Sequence, residues 1–509
     1  MPKELFIEEY IEYKDNGLVG RVDRSFCYEN ISKLKISIYD ICMGGAVTTY
    51  ILFLVYCTVK TNNSKESNEN KSSQKVNKYI KIFSFTNTWR NINKQNRGED
   101  FDRLRSIQGI RTLTNGIVIL THNYIALTVT FSYNPEYVER LTTNSYTRLI
   151  INFFGLVVQT FFTISAWLLA TQLNNIVKNN GKITMKDVLI IALNRYFRLI
   201  PAMALVILLH IIPVSVNVPS QLLYRSFWIW SNNWSCFNAN FCNPGTWYLA
   251  VDTQLYIMVV LFFYLSQKSK IPMKYFLGLA SMIAVSVQAY TLMNTTVDGL
   301  LKFVPKMLPG ETTFARPEFL ISYMGTECSL VTYVIGFMFG SIYVENKHRN
   351  MFDTRIKKVF WFVSFFGLPI ITSLFYAYDS WRILETIRAI TFRPLFSLGV
   401  AIGILGMATS AGGCIKKFFE WRPLVFMGNF SYSVYMFHFP MIFLKLSMKT
   451  TMIYFNHMDC IISVLQDLVL SFIIGILMYI IFEHPCLQLQ KMFLPQVRRS
   501  KGESERKIN

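Results

Sequence analysis

Long apolar runs separated by short polar or charged stretches organise this chain. A hydrocarbon core about 30 Å thick takes about 20 apolar residues per helix. On that scale the runs predict about eleven transmembrane helices, near 36–58, 107–130, 150–173, 187–213, 247–266, 274–292, 326–344, 357–377, 389–409, 424–447 and 463–482. The first carries Asp40 inside it. The fold class this predicts is an all-α polytopic membrane protein, with one leading helix followed by ten more.

Between the first helix and the rest, "KTNNSKESNENKSSQKVNK" is polar and low in complexity, which predicts a flexible linker. The expected division is a non-cytoplasmic stub over 1–35, the leading helix over 36–58, a basic linker over 59–105, a ten-helix membrane domain over 106–490, and a basic tail over 491–509.

Composition agrees with a membrane origin: 52% of the 509 residues are hydrophobic and 15% aromatic, with a mean hydropathy of +0.30. The net charge of +20 would suit a nucleic-acid binder if it were gathered on one surface. Here the Lys and Arg fall in alternate loops: Lys60 to Arg105, "KNNGK", "QKSK", "ENKHRNMFDTRIKK", "IKKFFEWR" and the tail "VRRSKGESERK". Placing that set in the cytoplasm puts the N-terminus outside or in the lumen and the C-terminus in the cytoplasm, in the plasma membrane or endoplasmic reticulum. The charge then reports topology, and no nucleic-acid partner is expected.

Nine scattered cysteines without a CxxC pair make neither a disulfide scaffold nor a zinc site, so no metal is expected. The first thirty residues lack the apolar core of a signal peptide. Cys236 and Cys242 flank "CFNANFC" on the outer side and are disulfide candidates. Sequons at Asn30, Asn233 and Asn294 fall on that side and are glycosylation candidates, whereas Asn62, Asn70 and Asn429 match the same pattern on the inner side.

Ionisable groups inside a span are costly and therefore candidates for function. Arg111 and His122 in "GIRTLTNGIVILTH" are eleven positions apart, three turns plus a small offset, which places both on one helical face. Their axial separation is about 16 Å. Counting residues from the span ends puts His122, Asp252 and His438 in one outer stratum. Arg111, Arg195 and Arg198 form an inner, basic stratum, with Glu483 at the inner end of the last helix.

Each has a plainer reading. The arginines can snorkel to the interface, His438 can be a satisfied bundle histidine, and Asp252 can be a first-turn charge. His122 resists the plainer reading best, since it shares its face with an arginine and its depth with a carboxylate. His210, His348 and His457 read as interfacial or loop residues without a role, and runs such as "FWIWSNNWSCF" read as an interfacial aromatic belt.

An imidazole held by a carboxylate suits proton abstraction from a hydroxyl, and Asp252 is the expected orienting group. A basic inner layer suits a phosphate-rich donor arriving from the cytosol. Together these describe group transfer across the membrane without naming the group.

A resemblance names it. "QGIRTLTNGIVILTH" resembles the first catalytic helix of the membrane acyltransferase-3 family, and "NRYFRLIPAMALVIL", "NPGTWYLAVDTQLY", "FSYSVYMFHFPMI" and "FEHPCLQLQKM" follow in that family's order. Within it the chain is most similar to the animal, nose-resistant-to-fluoxetine-like branch, where a leading helix and a long cytoplasmic loop precede a ten-helix unit. The likeness covers roughly 30–495.

By position it implies His122 as the catalytic residue with Arg111, donor binding by Arg195 and Arg198, and supporting roles for Trp247, Tyr248, Asp252, Tyr435 and His438. Gln108 departs from the family's usual Asp or Asn, and the branch's cysteine-rich outer domain is reduced to a stub holding Cys27, as in either a truncated N-terminus or a member that has lost the domain.

The resemblance implies acyl-coenzyme A as the donor and a hydroxyl-bearing lipid, sterol or glycan as the acceptor, with the lipid bilayer as surroundings. The alternative is a lipid or drug transporter whose polar stratum lines a path. Against it, no matching pair of broken helices and no inverted hydropathy symmetry is visible.

Overall fold

The computed structural model describes residues 38–495 except 70–76, 94–98, 129–132, 135, 138–139, 142–143, 212–244, 296, 298, 301–317, 377–380, 410 and 448–452. Among the described residues the chain is mostly helical, without a β-strand. This is an all-α polytopic membrane protein. Asn30, Asn233, Cys236 and Cys242 lie outside the described residues, whereas Asn294 is exposed at the end of its helix.

In chain order the helices that matter for the site are α1 Ile38–Glu69, α2 Phe85–Asn93, α3 Arg105–Thr128, α4 Ser145–Val157, α5 Gln159–Asn180, α6 Met185–Ile211, α7 Thr246–Ser269, α8 Met273–Asn294, α9 Thr326–Glu345, α10 Arg355–Phe362, α11 Leu368–Leu374, α12 Arg382–Ala408, α13 Gly413–Phe419, α14 Arg422–Gly428, α15 Ser431–Ser447, α16 His457–Met478 and α17 His484–Phe493. Nine stretches among the described residues are long and apolar enough to span a bilayer.

The two expected spans missing from those nine are present as α3 and as α14 with α15. Their polar content has a physical reason. α3 packs against α4, α5, α12, α13, α14, α15 and α16, so little of it faces lipid and its side chains are chosen by protein neighbours. Asn115 Nδ2 donates to the Ser431 carbonyl at 3.0 Å, and Thr112 Oγ1 to the Leu424 carbonyl at 2.7 Å.

Small residues let these helices approach closely. A Cβ at Gly109 of α3 would fall 1.9 Å from the Phe419 carbonyl oxygen. A Cβ on Gly336 of α9 would come within 2.5 Å of the Thr163 carbonyl of α5. In lipid, where apolar burial drives little association, such backbone contact is a main source of packing energy.

Parts of the linker region are helical among the described residues. α1 runs on to Glu69, and 77–93 folds into a short helix, Lys78–Ile82, followed by α2. α2 is amphipathic: Thr88 and Ile92 are buried while Phe85 and Trp89 are exposed and stacked on each other. Its apolar side has a core to join, since Ile92 clusters with Ile119, Phe430, Val434 and Ile480. Thr88 Oγ1 meets His484 Nδ1 at 3.1 Å. α1 is held at the edge, with the Tyr50 hydroxyl donating to the Ile481 carbonyl at 2.8 Å.

Candidate active site

The face of α3 that carries Arg111 and His122 is an interior one, since Asn115 and Val118 between them are buried. Both ends of that face stay partly accessible. α15 crosses it and brings His438, which is fully buried. His122 Nδ1 lies 2.7 Å from His438 Nε2, with ring centroids 4.9 Å apart and planes at 19°. Phe439 closes the other side of His122 edge-on at 5.0 Å.

The protons of this pair follow from one contact. His438 Nδ1 sits 2.7 Å from the Tyr435 carbonyl oxygen, which can only accept. His438 Nδ1 therefore donates, and in the neutral ring Nε2 holds a lone pair. His122 Nδ1–H donates to that lone pair, which leaves His122 Nε2 unprotonated. No hydrogen bond engages it among the described residues. A free imidazole lone pair on an accessible face is the form a general base requires.

Asp252, expected to orient His122, has a different bonding partner here. The carboxylate is buried, but it is bonded to Arg195 Nη2. Arg195 also donates to Ser165 Oγ at 3.0 Å and stacks over Tyr256 at 4.1 Å. Residue counting assigned these two to opposite strata; a long guanidinium reaching along α6 joins them. Arg195, expected to bind a donor, is thus neutralised by the protein.

Arg111 and Arg198 differ. Neither makes a hydrogen bond or ion pair among the described residues, and Arg111 lies within electrostatic reach of both Arg195 and Arg198. Tyr432 donates its hydroxyl to the Leu199 carbonyl at 2.6 Å, which fixes α15 beside the Arg198 turn. Glu483 ends a π-helical turn, Tyr479–Glu483, takes the Ser433 hydroxyl, and lies within electrostatic reach of Arg198. The arrangement is a basic layer whose charge is only partly balanced.

Trp247 and Tyr248 belong to an aromatic cluster at the start of α7. Tyr248 packs on Phe162 at 4.7 Å and on Tyr435 at 5.5 Å, and Trp247 on Tyr323 at 5.1 Å. The Tyr435 hydroxyl donates to the Gly245 carbonyl at 2.9 Å, which ties α15 to the start of α7.

The acyltransferase-domain family profile matches residues 104–483, from the turn before α3 to the last residue of the π-helical turn. The chain belongs to this membrane acyltransferase-3 family. It is similar to the O-acetyltransferase OatA of Staphylococcus aureus strains NCTC 8325 / PS 47, COL and MRSA252, at 24% identity over 304 residues, which is 56% of this chain and 45% of each relative. The chain thus spans about half the length of these relatives. No solved structure matches it.

Two intramembrane groups escaped the sequence reading. Lys445 and Asp467 stand inside apolar runs, "MIFLKLS" and "VLQDLVLSF", and the cost of an ion in hydrocarbon was signal enough to single them out.

Proposed function

We propose that the protein is a membrane-embedded O-acyltransferase that moves an acyl group from acyl-coenzyme A to a hydroxyl of a lipid, sterol or glycan. His122 Nε2 is the general base. It takes the acceptor's O–H proton as the oxygen attacks the thioester carbonyl; the new O–C bond forms, the C–S bond breaks, and the thiolate leaves, receiving the proton from the imidazolium. His438 accepts from His122 Nδ1–H throughout and holds the ring in the reactive tautomer.

The observation that carries this reading is the chain of bonds from His122 to His438 to the Tyr435 carbonyl, which leaves one lone pair free. Arg111 and Arg198 take the donor's phosphates, because they have no protein acceptor among the described residues and guanidinium forks match phosphate oxygens. The distribution of Lys and Arg supports a cytosolic approach for that donor. The relatives' name supports a short acyl group such as acetyl. The leading helix and linker ahead of the matched region support the animal, nose-resistant-to-fluoxetine-like branch.

The test is label transfer from acetyl-coenzyme A, labelled in its acetyl group, to lipids and glycans of membranes holding wild type or His122→Ala. The expected result is a species that gains one acetyl mass with wild type and not with the variant. Wild-type turnover by a folded His122→Ala protein overturns the assignment. Uptake that depends on a pH gradient, with no donor consumed, would favour transport instead.

A further inference from the structure

A second polar cluster lies inside the bundle, one residue along α3 from His122. Asp467 of α16 is 2% exposed. Its Oδ1 takes Lys445 Nζ of α15 at 2.5 Å, and its Oδ2 takes Asn123 Nδ2 of α3. One turn away on α16, Ser463 Oγ accepts from Lys445 Nζ at 3.0 Å and from Asn123 Nδ2 at 3.2 Å, and the Ser463 carbonyl accepts from Lys445 Nζ at 3.3 Å.

Nothing in the transfer step uses these groups. An ion pair in a span is expensive, and apolar residues of similar volume usually serve stability as well or better. A reason other than stability is therefore required, and the geometry supplies one. Asn123 is the neighbour of His122. Lys445 lies seven residues beyond His438, two turns along the same side of α15. The two helices that contribute the histidine pair are thus both bound to a single carboxylate.

Successive residues on a helix point about 100° apart. A rotation of α3 that releases Asn123 from Asp467 therefore also swings the His122 ring away from His438. We propose that Asp467, acting through Asn123 and Lys445, is a positioning centre that sets the rotation of α3 against α15 and so maintains the His122–His438 bond. This inference rests on the reading of that pair as the reacting centre.

The test compares wild type with the double variant Lys445→Met/Asp467→Leu, which leaves no buried charge unpaired, and with Asn123→Ala, which leaves the ion pair in place. Three quantities are read on detergent-purified protein: melting temperature, kcat and KM for acetyl-coenzyme A, and carbethoxylation of His122 and His438 by diethyl pyrocarbonate, located by peptide mass spectrometry. In wild type His438 is protected, because it is buried and both its nitrogens are engaged.

The expected result is melting close to wild type, an unchanged KM, a kcat lower by on the order of 10-fold, and severalfold faster labelling of His438 in both variants. Folded variants with wild-type kcat and a protected His438 overturn the proposal and leave the cluster as packing. If wild type itself transfers nothing from acetyl-coenzyme A, the function proposed above fails, while the labelling of His438 still decides whether Asp467 sets the pair.

Discussion

Arg195 of α6 and Asp252 of α7 are bonded to each other beneath the Tyr256 ring, so one cation of the basic layer is already balanced by the protein. Removing one partner strands the other charge in a buried site, at about 3–5 kcal/mol. Arg195→Ala and Asp252→Ala are therefore expected to melt well below wild type in detergent. Arg195→Met/Asp252→Leu is expected to recover most of that loss. Equal melting of both single variants and wild type would contradict the pairing.

Arg111 and Arg198 are the groups proposed above to hold the donor's phosphates. A charge-assisted hydrogen bond contributes about 1.5–3 kcal/mol. Substituting Ala at either position is expected to raise KM for acetyl-coenzyme A by roughly 10-fold or more at little cost in melting temperature. Arg198→Lys is expected to recover only part of the affinity, since an ammonium keeps the charge and loses the planar fork. Steady-state kinetics on the three variants separates these outcomes.

The two histidines differ in rank. His122→Ala removes the proposed base and is expected to lower kcat/KM by roughly 10²–10⁴-fold. His438→Ala leaves the base but frees its tautomer, with an expected loss on the order of 10-fold to 100-fold. His438→Gln, which offers an amide oxygen to His122 Nδ1–H, is expected to be less impaired than His438→Ala. The reverse order would show that His438 itself reacts.

Close helix contact predicts the cost of bulk. Gly336→Val puts a branched side chain where even a Cβ lies 2.5 Å from the Thr163 carbonyl. Separation of α9 from α5 follows, with loss of on the order of 1–3 kcal/mol. The drop is expected in thermal melting monitored by size exclusion. Gly278→Val, where a Cβ meets nothing within 4 Å, serves as the control.

Outside the spans, burial pushes the Glu420 carboxyl above its usual 4.5, with Lys416 and Arg105 pulling the other way. A raised folded-state value means that the folded protein binds this proton more tightly. Its contribution to stability is greatest below 4.5 and is lost as pH rises through the raised value. Glu420→Gln is expected to flatten the rise in melting temperature seen as pH falls through that window. An unchanged pH profile would assign the slope to other carboxylates.

Most of the architecture was legible because the hydrophobic period is a local property of the chain. The run from 247 to 266 could be little other than α7, and the eleven-residue spacing of Arg111 and His122 fixed their shared face from helix geometry alone. Pairing was less legible. Counting residues along a span gives height but not azimuth, so His438 and Asp252 were equivalent neighbours for His122 until α15 was seen to cross α3. Depth counted at Cα also missed the reach of Arg195, whose side chain extends along α6 to Asp252. The helices in 77–93 were hidden because their buried residues, Ile82, Thr88 and Ile92 among them, are spaced to cover a surface that only the folded unit supplies.

The near-contact of Gly109 with the Phe419 backbone has a dynamic consequence. With a neighbouring main chain against its first turns and seven helices around it, α3 has no room to slide along its axis, so the depth of His122 is fixed. Freedom to move falls instead to elements that face outward along most of their length. α6 and α8 show most of their length outward and pack against fewer elements than α3, so far less protein pins them in place.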